Sequence, residues 1–151
     1  MIEIHRARPD DADTIADFQI RMARETEGVE LDPPTVALGV RAVFDDPTKG
    51  EYWIASDAGR AVASTLVLSE WSDWRNGTVL WIHSLYVEPD ARRRGVFRAL
   101  FEHLRRRVEQ SADLKGLRLY VDKRNAAARR AYESMGMSSE HYDLFEWLKP
   151  V

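Results

Sequence analysis

The 151-residue sequence predicts an α/β (α+β) fold, one domain over residues 1–151 with a mixed sheet of six to seven strands and about four helices. Three observations predict it. Residues 78–87 are apolar on both parities, with Val79, Trp81, Leu85 and Val87 on one and Leu80, Ile82 and Tyr86 on the other, the pattern of a strand buried on both faces. Residues 51–56 and 61–69 are strand-like runs joined by Asp57-Ala58-Gly59-Arg60, a hairpin signal. Strand, helix and strand then follow one another over residues 79–121, which implies a right-handed crossover and a parallel pair. A hairpin beside a crossover makes the sheet mixed and argues against a doubly wound nucleotide-binding fold.

The elements follow in order. Residues 2–7 alternate apolar and polar as a first strand. Pro9-Asp10-Asp11 opens a helix with acids at its positive end, carries Ile15, Phe18 and Met22 at helical spacing, and fades near Gly28. Asp32-Pro33-Pro34 starts a second helix with Val36, Val40, Val43 and Phe44 on one side, ended by Asp46-Pro47. Trp71 to Trp74 reads as a polar and aromatic connection, and Asn76-Gly77 as a turn into the central strand. Pro89-Asp90 breaks that strand. A long helix over residues 95–111 carries Val96, Leu100, Leu104 and Val108 on one side. Residues 117–121 read as a short strand, 126–135 as a helix, and 138–148 as a final strand or strand pair.

Composition narrows the chemistry. There is no cysteine, which excludes disulfides, thiolate metal sites and a thiol nucleophile. The four histidines are far apart and show no ligand spacing, so no metal is expected. The opening MIEIHRARPDD lacks the apolar run of a signal peptide, and no apolar stretch approaches the ~18 residues of a membrane span, so the expectation is a cytoplasmic protein without a membrane partner. Charge is unevenly placed. Residues 1–88 hold 8 basic and 16 acidic side chains, residues 89–130 hold 13 and 5, and the remainder 1 and 4. That asymmetry suits two ligands of opposite sign. Nucleic acid is not the expected anion, because only Phe97 and Phe101 interleave with the arginines and Phe101 sits at core spacing.

The basic segment has one position that matters most. Arg92-Arg93-Arg94-Gly95-Val96-Phe97-Arg98 lies between the doubly apolar strand and the long helix. The first N–H groups of a helix lack internal partners and form an anion seat. Arginine adds charge and bidentate phosphate contacts, and Gly95 lets a ligand approach closely. Together they suit a diphosphate. Arg105-Arg106-Arg107 has the same composition mid-helix without glycine, and there a solvated face is the better reading.

His83-Ser84-Leu85-Tyr86-Val87 followed by Arg-x-x-Gly and a helix resembles the GNAT family of N-acetyltransferases, whose pattern is Arg/Gln-x-x-Gly-x-Gly/Ala. Arg92 and Gly95 match; Phe97 departs from the usual Gly or Ala, so its ring must point away from a diphosphate. Further on, Asn125, Tyr132 and Gly136 fall in the family's order and spacing. The resemblance implies acetyl-CoA as cosubstrate. Leu85, Tyr86 and Val87 would pair with the pantetheine arm, residues 92–98 (Arg92, Arg93, Arg94, Gly95, Val96, Phe97, Arg98) would hold the diphosphate, and Asn125 would touch the arm. It implies Tyr132 as the acid that protonates the departing thiolate. Without the resemblance Tyr132 reads as a core tyrosine and Asn125 as a helix N-cap.

The resemblance implies transfer to a primary amine, which must lose a proton before attack. The strand offers no acid before Glu88, so His83 is the candidate base, with water as the alternative. A cationic amine is expected on the acidic half, near Glu25 and Glu27 and near Trp71 and Asp73, where carboxylates and indole faces attract it. The acceptor expected is a small molecule. A protein amine and a non-catalytic acyl-CoA-binding module are the alternatives, and a homodimer through the C-terminal segment is compatible with the sequence.

Overall fold

Glycine, proline and short polar caps punctuate the chain much as the sequence implies. The computed structural model describes residues 1–150. Its elements are β1 (Ile2–Arg6), α1 (Ala12–Glu27), α2 (Pro33–Asp45), β2 (Glu51–Asp57), β3 (Arg60–Ser72), β4 (Gly77–Val87), α3 (Val96–Gln110), β5 (Leu114–Leu119) and α4 (Ala126–Ser134). Helix α1 ends where Gly28 turns left-handed (φ 64°) and donates its N–H to Ala23 and Arg24 carbonyls. Asp32 caps α2 by accepting from the Thr35 amide at 3.1 Å, with Pro33 and Pro34 in the first turn.

The strands form one sheet in the order β1-β2-β3-β4-β5, and the pairs β1–β2, β2–β3 and β3–β4 are antiparallel. Two apolar layers flank it. Ile15 and Ala16 of α1 and Val40 and Val43 of α2 pack with Tyr52 and Ile54 of β2. Val96 and Leu100 of α3 pack with Ala55, Val62, Ala63 and Ala91, and Leu85 and Val87 lie against them. Residues adjacent along β2 thus serve opposite faces, as a period of two requires.

The register of β3 against β4 slips once. Leu66 faces His83 and Ser64 faces Tyr86, so Thr65 opposes two residues, Ser84 and Leu85. This is a β-bulge, and Ser84 carries its strain at φ 51°. Thr65 Oγ1 donates to the His83 carbonyl at 2.8 Å, and Gln19 Nε2 of α1 donates to the Ser84 carbonyl at 3.4 Å. The extra residue inverts the alternation. His83 stays on the face of Leu66, with its ring 6.0 Å from Trp81. Leu85 and Val87 turn to the α3 side, and Tyr86 meets Phe18 of α1 at 5.2 Å between rings.

Four sequence expectations change. Among the described residues the sheet has five strands, not six to seven. Residues 138–148 form no strand: a strand exists only by laddering its backbone to a neighbour, this stretch makes no ladder, and Tyr142, Leu144, Phe145, Trp147 and Leu148 are exposed. The short strand expected at 117–121 begins earlier, at Leu114, beside the Thr78 amide's 2.8 Å bond to the Asp113 carbonyl. Trp71 belongs to β3, paired with Thr78, and the turn is confined to residues 73–76, with Asn76 at φ 48°. The doubly apolar strand is interior, next to the middle strand β3.

The chain divides into a first unit, Met1–Arg118, and a second that begins at Leu119. Among the described residues no helix is long and apolar enough to cross a membrane.

Ser64 and Thr65, both fully buried, separate two hydroxyl roles at the bulge. Thr65 satisfies a carbonyl, whereas Ser64 Oγ has no partner among the described residues. Thr65→Val leaves that carbonyl one donor short and costs about 1–3 kcal/mol. Ser64→Ala removes a desolvated hydroxyl and stays within about 0.5 kcal/mol of wild type or stabilises. Urea unfolding of the two variants measures the difference.

Candidate functional site

The junction between β4 and α3 is built from both ends. Val96 and Leu100, buried in the core, fix where α3 starts. Gly95, at φ 79°, is its N-cap and offers no side-chain acceptor to the first amides. Arg93 is also left-handed, at φ 62°. A Cβ placed on Gly95 would meet no atom within 4 Å, so the space in front of the helix start is open. Uncapped amides at the head of a 15-residue helix facing open space form an anion seat. The Phe97 ring lies 6.2 Å from that of Phe101, further along the same helix.

The four arginines of the junction are not equivalent. Arg92 donates from Nη1 and Nη2 to the two oxygens of Glu25 at 2.8 and 2.6 Å, and from Nε to the Val87 carbonyl at 3.0 Å. Its guanidinium carbon is 5.7 Å from the Tyr86 ring centroid. Arg94 donates to Asp57 at 2.8 Å, and Asp57 also receives the N-terminal ammonium at 3.2 Å. Arg93 and Arg98 are exposed and make no ion pair among the described residues. The hydrogen bond from Arg92 holds the Glu25 carboxyl below the usual range, and Glu25 raises Arg92 in turn.

The strand leading into the junction is tied to α1. Arg21 donates to both oxygens of Glu88, at 2.8 and 2.7 Å, and to the Tyr86 hydroxyl at 3.4 Å. That fork lowers the Glu88 pKa. Tyr86 is buried; Leu85 and Val87 are half-buried. The Val87 carbonyl is already accepting from Arg92, which takes one of the backbone groups that the family resemblance implies for a ligand. His83 is half-buried, and burial pushes its pKa below the ordinary histidine value.

The residues expected around an amine do not form one group. Glu25 is engaged by Arg92 at the C-terminal end of β4. Glu27 is exposed at the end of α1, Glu30 is paired with Arg24 at 2.6 and 2.9 Å, and Asp32 is a helix cap. Trp71, 64% exposed, pairs with Thr78 at the opposite end of β4, and Asp73 lies in the turn beyond it beside Trp74, 87% exposed. Thr78 precedes Ser84 by six residues, about 20 Å of strand. The length of β4 thus separates two acidic regions that composition alone merges. Sequence reasoning also missed Arg21, Glu88 and Asp57. Arg21 meets Glu88 from 67 positions away, a partnership no local pattern encodes.

In the second unit Asn125 Oδ1 accepts from the Ala128 amide at 3.0 Å and caps α4. Tyr132 is seven residues on, half-buried, and burial raises its pKa. Gly136, at φ 89°, closes the helix by donating to the Glu133 carbonyl at 3.0 Å. Ahead of the cap, Asp122 accepts from the Arg124 side chain and backbone amide, which hold its carboxyl at about 2.

The model of the Acetyltransferase (GNAT) family matches residues 15–137. A possible acetyltransferase from Clostridium difficile 630 is 42% identical, with a TM-score of 0.91 over 100% of this chain and 99% of that one. Two solved structures share the fold at lower identity. A ribosomal-protein-alanine N-acetyltransferase from Brucella melitensis biovar Abortus 2308 has TM-score 0.80 and 16% identity, over 99% of this chain and 100% of that one. A predicted acetyltransferase with acetyl-CoA from Clostridium acetobutylicum has TM-score 0.71 and 18% identity, over 100% and 96%. The search of curated protein sequences finds no match.

Gly95 is held at φ 79°, a region that side chains pay to enter. Gly95→Ala is expected to cost about 1–2 kcal/mol with the fold kept, because its Cβ meets nothing. Denaturant unfolding with far-UV dichroism checks both parts.

Proposed function

Because the chain belongs to the GNAT acetyltransferase family, we propose that it transfers the acetyl group of acetyl-CoA to the primary amine of a small molecule. The observation that carries the donor half is the uncapped start of α3 behind Gly95, with Arg93 and Arg98 exposed and in no ion pair among the described residues. That seat fits a diphosphate in charge and in approach. When bound, acetyl-CoA supplies an acyl group activated as a thioester.

The chain's own residues have distinct tasks. The amides of residues 96–98, with Arg93 and Arg98, bind the diphosphate. Leu85 and its neighbours beyond the bulge orient the pantetheine arm through their remaining backbone groups. His83 takes the proton from the ammonium, and burial keeps it neutral, as a base must be, at pH 7. Tyr132 returns a proton to the thiolate sulfur, and its raised pKa keeps the phenol protonated across the neutral range. Carboxylates on α1 attract the cationic amine, with Glu27 exposed for that role. The exposed aromatic run at residues 142–148 supports self-association of two copies of the chain.

Calorimetric titration of acetyl-CoA tests the donor site. Wild type is expected to bind in the micromolar range, and Arg93→Gln/Arg98→Gln to bind more weakly with a shallower dependence on salt. Thiol release with a panel of small amines tests the acceptor. Release only with peptides moves the assignment to protein amines, the substrate class named for the Brucella relative. Binding without release to any amine leaves an acyl-CoA-binding module.

The two proton-transfer residues give separable signatures. Tyr132→Phe is expected to lower kcat by about 10²-fold or more with little change in acetyl-CoA affinity. His83→Gln is expected to remove the acid limb of kcat/KM, which in wild type lies below the ordinary histidine range because burial lowers the group. An acid limb that persists in His83→Gln assigns the base to water.

A further inference from the structure

Arg92 occupies the position that the family pattern places beside the diphosphate, yet its guanidinium is committed in three directions. Both terminal nitrogens hold Glu25, Nε holds the Val87 carbonyl, and the Tyr86 ring lies beneath. Glu25 lies one helical turn after Arg21, on the same face of α1. Arg21 forks onto Glu88, where β4 ends; Glu25 accepts the fork of Arg92, where the loop begins. Between these two grips lies only the Pro89–Ala91 turn. Helix α1 therefore clasps both ends of the segment that delivers the chain to α3.

We propose that Glu25 is a positioning residue of the donor site: its fork on Arg92 sets where the loop and the first amides of α3 stand, and those amides, with Arg93 and Arg98, hold the diphosphate without the Arg92 side chain. This rests on the reading that the site takes acetyl-CoA. The chemistry favours it over a competing role for Arg92. A guanidinium already paired with a carboxylate adds no net charge to an anion seat. Swinging Arg92 onto phosphate would strip the Val87 carbonyl of its donor and leave the Glu25 carboxylate beside a diphosphate, two anions facing one another. Glu25, which composition assigns to the amine, belongs on this account to the donor.

The two roles predict opposite signs. With Glu25 positioning the loop, Glu25→Gln weakens coenzyme A binding about three- to tenfold in calorimetry. Arg92→Lys, which keeps charge and loses the planar fork, weakens it as much as Arg92→Gln does. The Glu25→Gln/Arg92→Gln double variant is then no worse than either single variant. Affinity for S-acetylpantetheine, which lacks the diphosphate, stays within about twofold; general damage to the fold would lower both. Arg41→Gln, which breaks the exposed 3.3 Å pair with Asp13, serves as the control and changes neither. If Glu25→Gln leaves coenzyme A affinity unchanged or tightens it, Arg92 is a phosphate ligand or an idle pair, and the inference fails. A wild type that does not bind coenzyme A overturns the functional reading and this inference together.

Discussion

One extra residue in β4 arranges everything that follows it. Without the bulge at Ser84 and Leu85, strict alternation would leave Leu85 and Val87 on the face of Trp81 and His83. The slip instead sends Leu85 and Val87 into the α3 layer and turns Tyr86 toward α1. Both helices then have a foothold on the last three residues of the same strand. The strain at Ser84 is offset by fixed partners on either side: Thr65 holds the carbonyl before it and Gln19 the carbonyl at it. A strained residue held by a neighbouring strand and a helix is a rigid feature, which suits the ligand-aiming role proposed for the end of this strand.

The charges around the junction look excessive in the sequence and are balanced in the fold. Arg92 is paired with Glu25, Arg94 with Asp57, Arg21 with Glu88 and Arg60 with Asp90. These pairs are partly exposed, so their direct contribution to stability is small. Their consequence is geometric: they hold a loop containing two left-handed residues, Arg93 and Gly95, in one conformation. Among the described residues Arg93 and Arg98 make no ion pair, so they and the helix amides are the positive groups left over at the junction.

The parts that were legible in the sequence are those governed by short-range rules. The hairpin at Asp57–Arg60, the caps at Asp32 and Asn125, the helix start behind Gly95 and the doubly apolar strand all rest on residues within a few positions of one another. The bulge was not legible, because both parities of β4 are apolar and a slip of one leaves the pattern unchanged. Nor were the forks to Glu25 and Glu88, whose partners are each 67 positions away. The strand or strand pair expected at residues 138–148 failed for a different reason. Side-chain pattern expresses suitability for a strand, while a strand also needs a backbone edge to pair with.

Burial acts on the proposed base and acid in the same direction even though their charged forms have opposite sign. Removing water disfavours an imidazolium at His83 and a phenolate at Tyr132 alike, so one drops in pKa and the other rises. In each case the cause of the shift is desolvation. Both shifts favour the neutral form at pH 7, the state in which a histidine can accept a proton and a tyrosine can donate one. The contrast with the β4–α3 junction is physical. There the proposed donor seat rests on formal charges and exposed amides, which dissolved ions screen, whereas desolvation is insensitive to ionic strength. The proposed donor seat and the proposed proton-transfer pair thus draw on different forces, and mutations that retune one need not disturb the other.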